Sequence, residues 1–347
     1  MKDKKTGKSE AYNMLNPHEQ HKSGGPALER RELVPMAVAG LKDNTVTDFD
    51  LYLDVGGHLV LYAPSPYRWS EPETGRLIAD GFREVFYAKS DEAKVQAYHK
   101  ISVIKSIDES LEPAKRVIDI TDAIAELTRI LYEHPLSPSG LDKGKEIASS
   151  LTRCVSEDLT CIQALGQLAH HDYYTYYHSA RVGAYALALA IRMSLTDTKR
   201  LEEMGTGCIL HDVGKAKVGL QILNKAGPLT VKEWGVMKLH PEYGSGMVDS
   251  SQLGHVPREI ILHHHERIDG RGYPHGLTSN ELLEEVKIAA FADVFDALTT
   301  NRPYSQARTR FEALDFIRFN MLDHLYKDAY KAMVEVLVAE KPEKKAG

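Results

Sequence analysis

Between Gly207 and Lys215 the chain reads Gly-Cys-Ile-Leu-His-Asp-Val-Gly-Lys, which sets His211 and Asp212 side by side. Leu201, Met204 and Cys208 precede them at spacings of three and four, the mark of a core-facing helical stripe. Continuing that rhythm brings His211 and Asp212 to the buried side. Gly214 is expected to stop the helix just past its last turn. A buried His beside a buried Asp is costly unless each has a partner. A hydrogen-bonded pair in a helical core meets that need, and so does a divalent metal that uses both groups at once.

Four further places carry the same residue types. His178 stands one turn before Val182 on a face that continues through Tyr185 and Leu189. His240 precedes Pro241, which disfavours helix for His240 and marks a segment boundary. His264 and His265 follow Ile260 and Ile261 by one turn and so point inward, whereas His263 is less well placed. Asp293 shares a face with Ala289 and Ala297 in an apolar helix, with Asp296 beside it. One satisfied core histidine is common, but five segments that each turn an imidazole or carboxylate inward suit a metal centre. Nitrogen and carboxylate donors without thiolate fit Fe, Mn or Zn. The donors outnumber what one tetrahedral ion uses, so two ions bridged by a carboxylate is the natural count. Two ions about 3.5–4 Å apart suit phosphoester hydrolysis, since attacking and leaving oxygens are both stabilised.

Lys215 lies just past His211-Asp212 and is placed to neutralise a phosphate oxygen. Arg302 follows the last acidic helix and offers a bidentate clamp. The stretch Asp269-Gly270-Arg271-Gly272-Tyr273-Pro274 is a shaped turn rather than helix. Taken singly, each of these is also an ordinary surface charge or turn.

These segments, in this order, resemble the HD-GYP domain, a subgroup of the HD metallophosphohydrolase superfamily whose members are similar to cyclic di-GMP phosphodiesterases. The resemblance rests on His178-Ser179-Ala180-Arg181-Val182, His211-Asp212-Val213-Gly214-Lys215, His240-Pro241, His264-His265-Glu266-Arg267, Asp269–Pro274 and Ala292-Asp293-Val294-Phe295-Asp296-Ala297-Leu298. It implies an all-helical catalytic domain over 141–340. It also implies one ion on His178, His211, Asp212 and Asp293, with Asp212 bridging to a second on His240, His264 and His265. Lys215, Asp296, Arg302 and the Gly272-Tyr273-Pro274 loop would face substrate. Tyr174 replaces the Glu that holds a third ion in some members, so two ions are expected. Ser305 stands where a Lys or Arg is usual, which removes one phosphate clamp, and Ile268 where Trp is common.

The elements that must position these groups lie in a chain of 347 residues, 43% hydrophobic and 27% charged, the balance of a globular protein with a sizeable core. A net charge of −6 gives no basic field for a nucleic-acid polymer. No apolar run is long enough to span a bilayer, and no secretory leader is evident at the start. Cys154, Cys161 and Cys208 lack metal spacing, which suits reduced thiols and a cytoplasmic setting. The fold class expected is α+β overall: a small α+β domain followed by an all-α HD-type domain. Residues 1–32 read as a flexible tail and 33–105 as the α+β domain, either regulatory or a packing and dimerisation unit. Leu33–Val38 reads as a strand, Phe49–Asp54 and His58–Tyr62 as a hairpin about Gly56-Gly57, Glu71–Phe82 as a helix, Glu84–Ala88 as a strand and Asp91–Lys100 as a helix. Residues 106–140 read as a connecting helix and linker, with Val117, Ile120, Ile124, Leu127 and Leu131 on one stripe, broken by Pro135, Pro138 and Gly140. That stripe is either a homodimer contact or a helix packed on its own domain.

The leading expectation is hydrolysis of cyclic di-GMP to pGpG, and further to GMP, by a hydroxide held between two divalent transition-metal ions, Fe or Mn foremost. The alternatives are a receptor that binds the dinucleotide and signals through protein partners, and a hydrolase of another nucleotide such as a hybrid cyclic dinucleotide.

Overall fold

The computed structural model describes residues 32–42, 45–69, 73–102, 104, 107–134, 138–170, 174–223, 225, 227–248, 253–301 and 306–339. The chain divides into two compact units, Met1–Val103 with Ser137–Asp142, and Ile104–Leu136 with Lys143–Gly347.

The first unit is built on an antiparallel sheet. Its strands are β1 (Leu33–Ala37), β3 (Leu51–Val55), β4 (His58–Ala63) and β6 (Glu84–Ala88), in the order β1-β6-β3-β4. The short strands β2 (Val46–Thr47) and β5 (Tyr67–Arg68) pair separately. β3 and β4 meet across a two-residue loop in which Val55 faces His58. Gly56 and Gly57 both have positive φ, +65° and +93°, the backbone that a tight hairpin of this twist requires. Helices α1 (Glu73–Ala79) and α2 (Glu92–Ser102) bring Leu77, Val95 and Tyr98 to a core with Phe49, Leu51, Leu53, Trp69 and Val85. Phe49 meets Tyr98 edge to face at 5.8 Å, and the Tyr98 hydroxyl accepts from the Lys42 amide.

The second unit is helical. Helix α3 (Pro113–Glu133) is followed by α4 (Pro138–Glu157), a 3-10 stretch (Leu159–His170), α5 (Tyr174–Arg192) and α6 (Thr198–Leu210). A 3-10 turn (Val213–Lys217), then α7 (Leu220–Leu223), α8 (Val231–Met237), α9 (His240–Met247), α10 (His255–His263), α11 (Glu284–Thr299), α12 (Arg310–Asn320) and α13 (Lys327–Ala339) complete it. Helix α5 is the hub, packing against α3, α6, α11 and α13. Its stretch Ala184-Tyr185-Ala186-Leu187-Ala188-Leu189-Ala190 is buried all round, as expected of a helix with neighbours on every side. The pattern breaks where the sequence suggested, since α3 ends at Glu133 and a new helix starts at Pro138; Pro135 lies outside the described residues. Pro138 starts α4, where its missing N–H costs nothing, and Gly140 lies within that helix.

The apolar stripe of α3 is buried inside its own unit. Val117, Ile120, Ile124 and Leu127 have no exposed surface, and the helix packs on α5 and on the 3-10 stretch Leu159–His170. The stripe is therefore core rather than a seam for a second chain. Ile124→Ala is expected to destabilise the helical unit by about 2–5 kcal/mol through the cavity it leaves. Denaturant unfolding checks this, with a midpoint independent of protein concentration. A midpoint that rises with concentration would restore the seam between chains.

Candidate metal centre

Helix α6 explains how His211 and Asp212 come to be buried. Asp197 caps it by accepting from the Arg200 amide, and Leu201, Met204 and Cys208 anchor it in the core. The helix ends at Leu210, and Asp212 has φ −95° and ψ 4°, the bridge region that joins α6 to the 3-10 turn. Gly214 does not stop the helix, contrary to the sequence reading. It lies in the 3-10 turn, and a Cβ there would fall 1.9 Å from the His240 carbonyl oxygen and 2.4 Å from the Gly244 amide. Glycine is needed because the backbone of α9 passes directly against it. That contact sets His240 opposite Asp212. His240 opens α9, and Pro241 in the first turn makes the boundary that the sequence indicated.

Seven expected donors converge. The Asp212 carboxylate is 3% exposed and lies among four imidazoles. Its Oδ2 is 3.3 Å from His211 Nε2 and 3.8 Å from His178 Nε2. Its Oδ1 is 3.3 Å from His240 Nε2 and 3.9 Å from His264 Nε2. Asp293 approaches His178 Nε2 with Oδ1 at 3.1 Å and His265 Nδ1 with Oδ2 at 3.6 Å. The donors fall into compact groups, His178 with His211 and Asp293, and His240 with His264 and His265. Asp212 turns one oxygen toward each.

Four of the rings are aimed from behind. His211 Nδ1 is 2.7 Å from the Cys208 carbonyl, His240 Nδ1 2.8 Å from that of Met237, and His264 Nδ1 3.1 Å from those of Ile260 and Ile261. His178 donates from Nδ1 to Asp296 Oδ2 at 2.7 Å. With Nδ1 so engaged, Nε2 is the nitrogen left to face inward. His211 Nε2 and Asp212 Oδ1 are buried and have no hydrogen-bond partner. Unsatisfied buried donors and acceptors are expensive. A cation at each donor group satisfies one of these atoms, so the residues present fit divalent metal.

The electrostatics agree except at His178, where burial pushes the imidazole down but Asp293 and Asp296 outweigh it and push it up. Burial pushes the Asp212 carboxyl up, but His211, Lys215 and His240 outweigh it and hold it well below the usual carboxylate range. Asp293 is likewise pushed up by burial and held well below by its hydrogen bond to His178 and by His265. Burial first, then neighbouring imidazoles, lowers His264 far below the ordinary histidine value. Burial brings His265 down to about 3. Neutral imidazoles and ionised carboxylates are the ligating forms.

Other expected site residues are placed differently. Lys215 Nζ meets Asp212 Oδ2 at 2.5 Å and keeps 22% of its side chain exposed. Asp296 does not face an open surface. It is fully buried, and Arg181 Nε donates to its Oδ1 at 2.5 Å while His178 uses Oδ2. It holds the His178 ring from behind. Gly272 has no room for a Cβ, which would fall 2.4 Å from the Arg267 amide nitrogen and the Glu266 Cα. Tyr273 lays its ring 4.8 Å from that of His265, and its amide donates to the His265 carbonyl. Arg302 and Ser305 lie outside the described residues.

Two contributors were missed in the sequence. Arg181 is buried one turn after His178 and neutralises Asp296. Glu266 is buried and accepts from the amides of His275, Gly276 and Leu277, which pins the loop carrying Tyr273. An Arg three residues after a buried His, and a Glu beside a histidine pair, were the available signals.

Comparison with known proteins follows this geometry. The HD domain family matches residues 164–328. The cyclic di-GMP phosphodiesterase PA4108 of Pseudomonas aeruginosa is 38% identical over 170 residues, 49% of this chain and 41% of that protein. The 3'3'-cGAMP-specific phosphodiesterase 3 of Vibrio cholerae is 28% identical over 255 residues, 70% of this chain and 55% of that one. The chain thus spans about half the length of these curated relatives. Among solved structures, Bd1817, an HDG"Y"P protein from Bdellovibrio bacteriovorus, shares the fold with a TM-score of 0.59 at 19% identity, over 88% of this chain and 99% of that one.

Asp296→Asn tests the orienting role. The amide keeps the size but loses the charge held by Arg181 and His178. Metal affinity is expected to fall about 10–100-fold with little loss of helical structure. Titration calorimetry with a divalent metal checks it, and unchanged affinity would remove Asp296 from the site. The donor set, the residues behind it and the matched segment agree: over residues 164–328 the chain carries an HD domain, similar to those of the HD-GYP kind.

Proposed function

We propose that this chain is a metal-dependent phosphodiesterase that opens a cyclic dinucleotide, cyclic di-GMP foremost, to linear pGpG and then to GMP. The observation that carries the reading is the single buried Asp212 carboxylate with a group of donors at each oxygen. One ion is assigned to His178, His211, Asp212 and Asp293, and a second to Asp212, His240, His264 and His265. Iron or manganese suits this nitrogen and oxygen set. When bound, such a pair polarises phosphoryl oxygens and readies a water for in-line attack.

The chain's own groups do the remaining work. Lys215 is partly exposed beside the carboxylate and turns to the phosphate to offset its developing charge. Arg302 is assigned a second clamp on the same group. Tyr273, braced on the His265 ring, closes one side of the site and meets the nucleotide with its phenol edge. Asp293 and Asp296 keep the His178 imidazole oriented through the turnover. The α+β unit is assigned a regulatory role, and the setting is cytoplasmic.

A complete donor set favours catalysis over a receptor that only binds, since binding alone does not call for seven converging ligands. A second substrate reading, a hybrid cyclic dinucleotide, is favoured by the relative named for 3'3'-cGAMP.

The test loads purified protein with iron or manganese and supplies cyclic di-GMP, 3'3'-cGAMP and a linear dinucleotide. Cyclic di-GMP is expected to be cut fastest; preference for 3'3'-cGAMP would move the assignment to the hybrid substrate. Hydrolysis of neither would remove the enzyme reading. Asp212→Ala is expected to lose about two ions per chain and to lower turnover at least about 100-fold, because both ions lose a ligand. Near-normal turnover in that variant, metal-loaded, would sink the bridging role.

A further inference from the structure

His263 stands next to two ligands of the Asp212 centre but belongs to a different cluster. It is 5% exposed, and its Nδ1 is buried without a hydrogen-bond partner. That atom lies 3.9 Å from Glu266 Oε1, too far for a hydrogen bond. The imidazole of His275 packs against it with ring centroids 5.2 Å apart. One donor atom from each of His263, Glu266 and His275 lies within 4.8 Å of the others. None of the three serves the Asp212 centre.

We propose that His263, Glu266 and His275 hold a further divalent ion of the zinc class, separate from the Asp212 centre. Two imidazoles and a carboxylate, with water completing the shell, are a set that zinc accepts. Ligands about 2.0–2.2 Å from a tetrahedral ion stand about 3.4 Å apart, so the 3.9 Å between Nδ1 and Oε1 closes with a small side-chain shift. His275 is exposed, so its ring turns freely to the ion. In Glu266, Oε1 already accepts two amides and Oε2 only one, so Oε2 is the oxygen with a lone pair for the cation, and the Oε1 distance marks how near the carboxylate stands. On the far side of His263, Glu259 Oε2 lies 3.7 Å from Nε2, beyond hydrogen-bond distance, and its negative charge favours the proton on Nε2 over Nδ1. The ion ties the end of α10 to the loop Glu266–Leu277, and so braces Tyr273 against His265 from outside.

The experiment is zinc content of the full chain after saturation and dialysis, measured by mass spectrometry for the wild type, His275→Ala, Asp212→Ala and the double variant. His275 is exposed and its backbone N–H still donates to Glu266 Oε1 after the change, so folding is preserved. His275→Ala is expected to hold one zinc fewer than the wild type, and the double variant one fewer than Asp212→Ala. Zinc is also expected to protect the loop Glu266–Leu277 from proteolysis in the wild type but not in His275→Ala. Equal zinc content with and without His275, on both backgrounds, would overturn the proposal. An Asp212→Ala chain with undiminished zinc would instead count against the bridged centre, and leave the His275-dependent ion standing.

Discussion

The structure turns on one costly act, the burial of the Asp212 carboxylate. Asp293 and Asp296 are buried close by, which puts three carboxylates in one helical core. Against them stand Arg181, Lys215 and a His178 whose proton affinity is raised by Asp293 and Asp296 over the opposing effect of burial. Burying an ion costs several kcal/mol even after relaxation, and an unpaired one is not tolerated. Neutral imidazoles solvate the Asp212 oxygens only weakly. Divalent cations held by the donor groups balance the charge and satisfy the orphaned His211 Nε2 on one side and Asp212 Oδ1 on the other.

The scaffold meets this demand by bringing backbone very close to backbone at two places. Gly214 admits α9 against the turn after α6, and Gly272 admits its loop against Glu266 and Arg267. Neither glycine serves through a positive φ. Each serves by lacking a Cβ, so that His240 and Tyr273 reach positions that a bulkier residue would deny them. The loop glycines Gly270 and Gly276, at +73° and +69°, do the complementary work of turning the chain.

Much of this was legible because periodicity reports burial. The spacing of Leu201, Met204 and Cys208 placed His211 inside, and the Gly56-Gly57 pair between two strand-like runs placed the hairpin. Other features were not legible, since they arise between segments far apart in the chain. The resemblance set Asp296 toward substrate, whereas its contact with Arg181, 115 residues away, is seen only in the structure. Gly214 was read as a helix stop because the close approach of His240 exists only in three dimensions. The stripe of α3 left two readings open, as any apolar stripe does until its partner is seen. His263 was set aside because the helical rhythm that favours His264 and His265 says nothing about a loop folding back over a third ring.

The aim of three rings has a kinetic consequence. His211, His240 and His264 each take their orientation from a carbonyl three or four residues earlier in their own turn. Their tautomer is thus written into local backbone and survives when the ions leave. An emptied centre has no ligands to re-sort, and its refilling is governed by the approach of the ion rather than by a search among ring orientations. His178 differs, because its aim comes from Asp296 on another helix. Loosening α11 from α5 therefore displaces Asp293 and releases the aim of His178 at once, which makes that pair of helices the joint through which the rest of the molecule can alter the hold on metal.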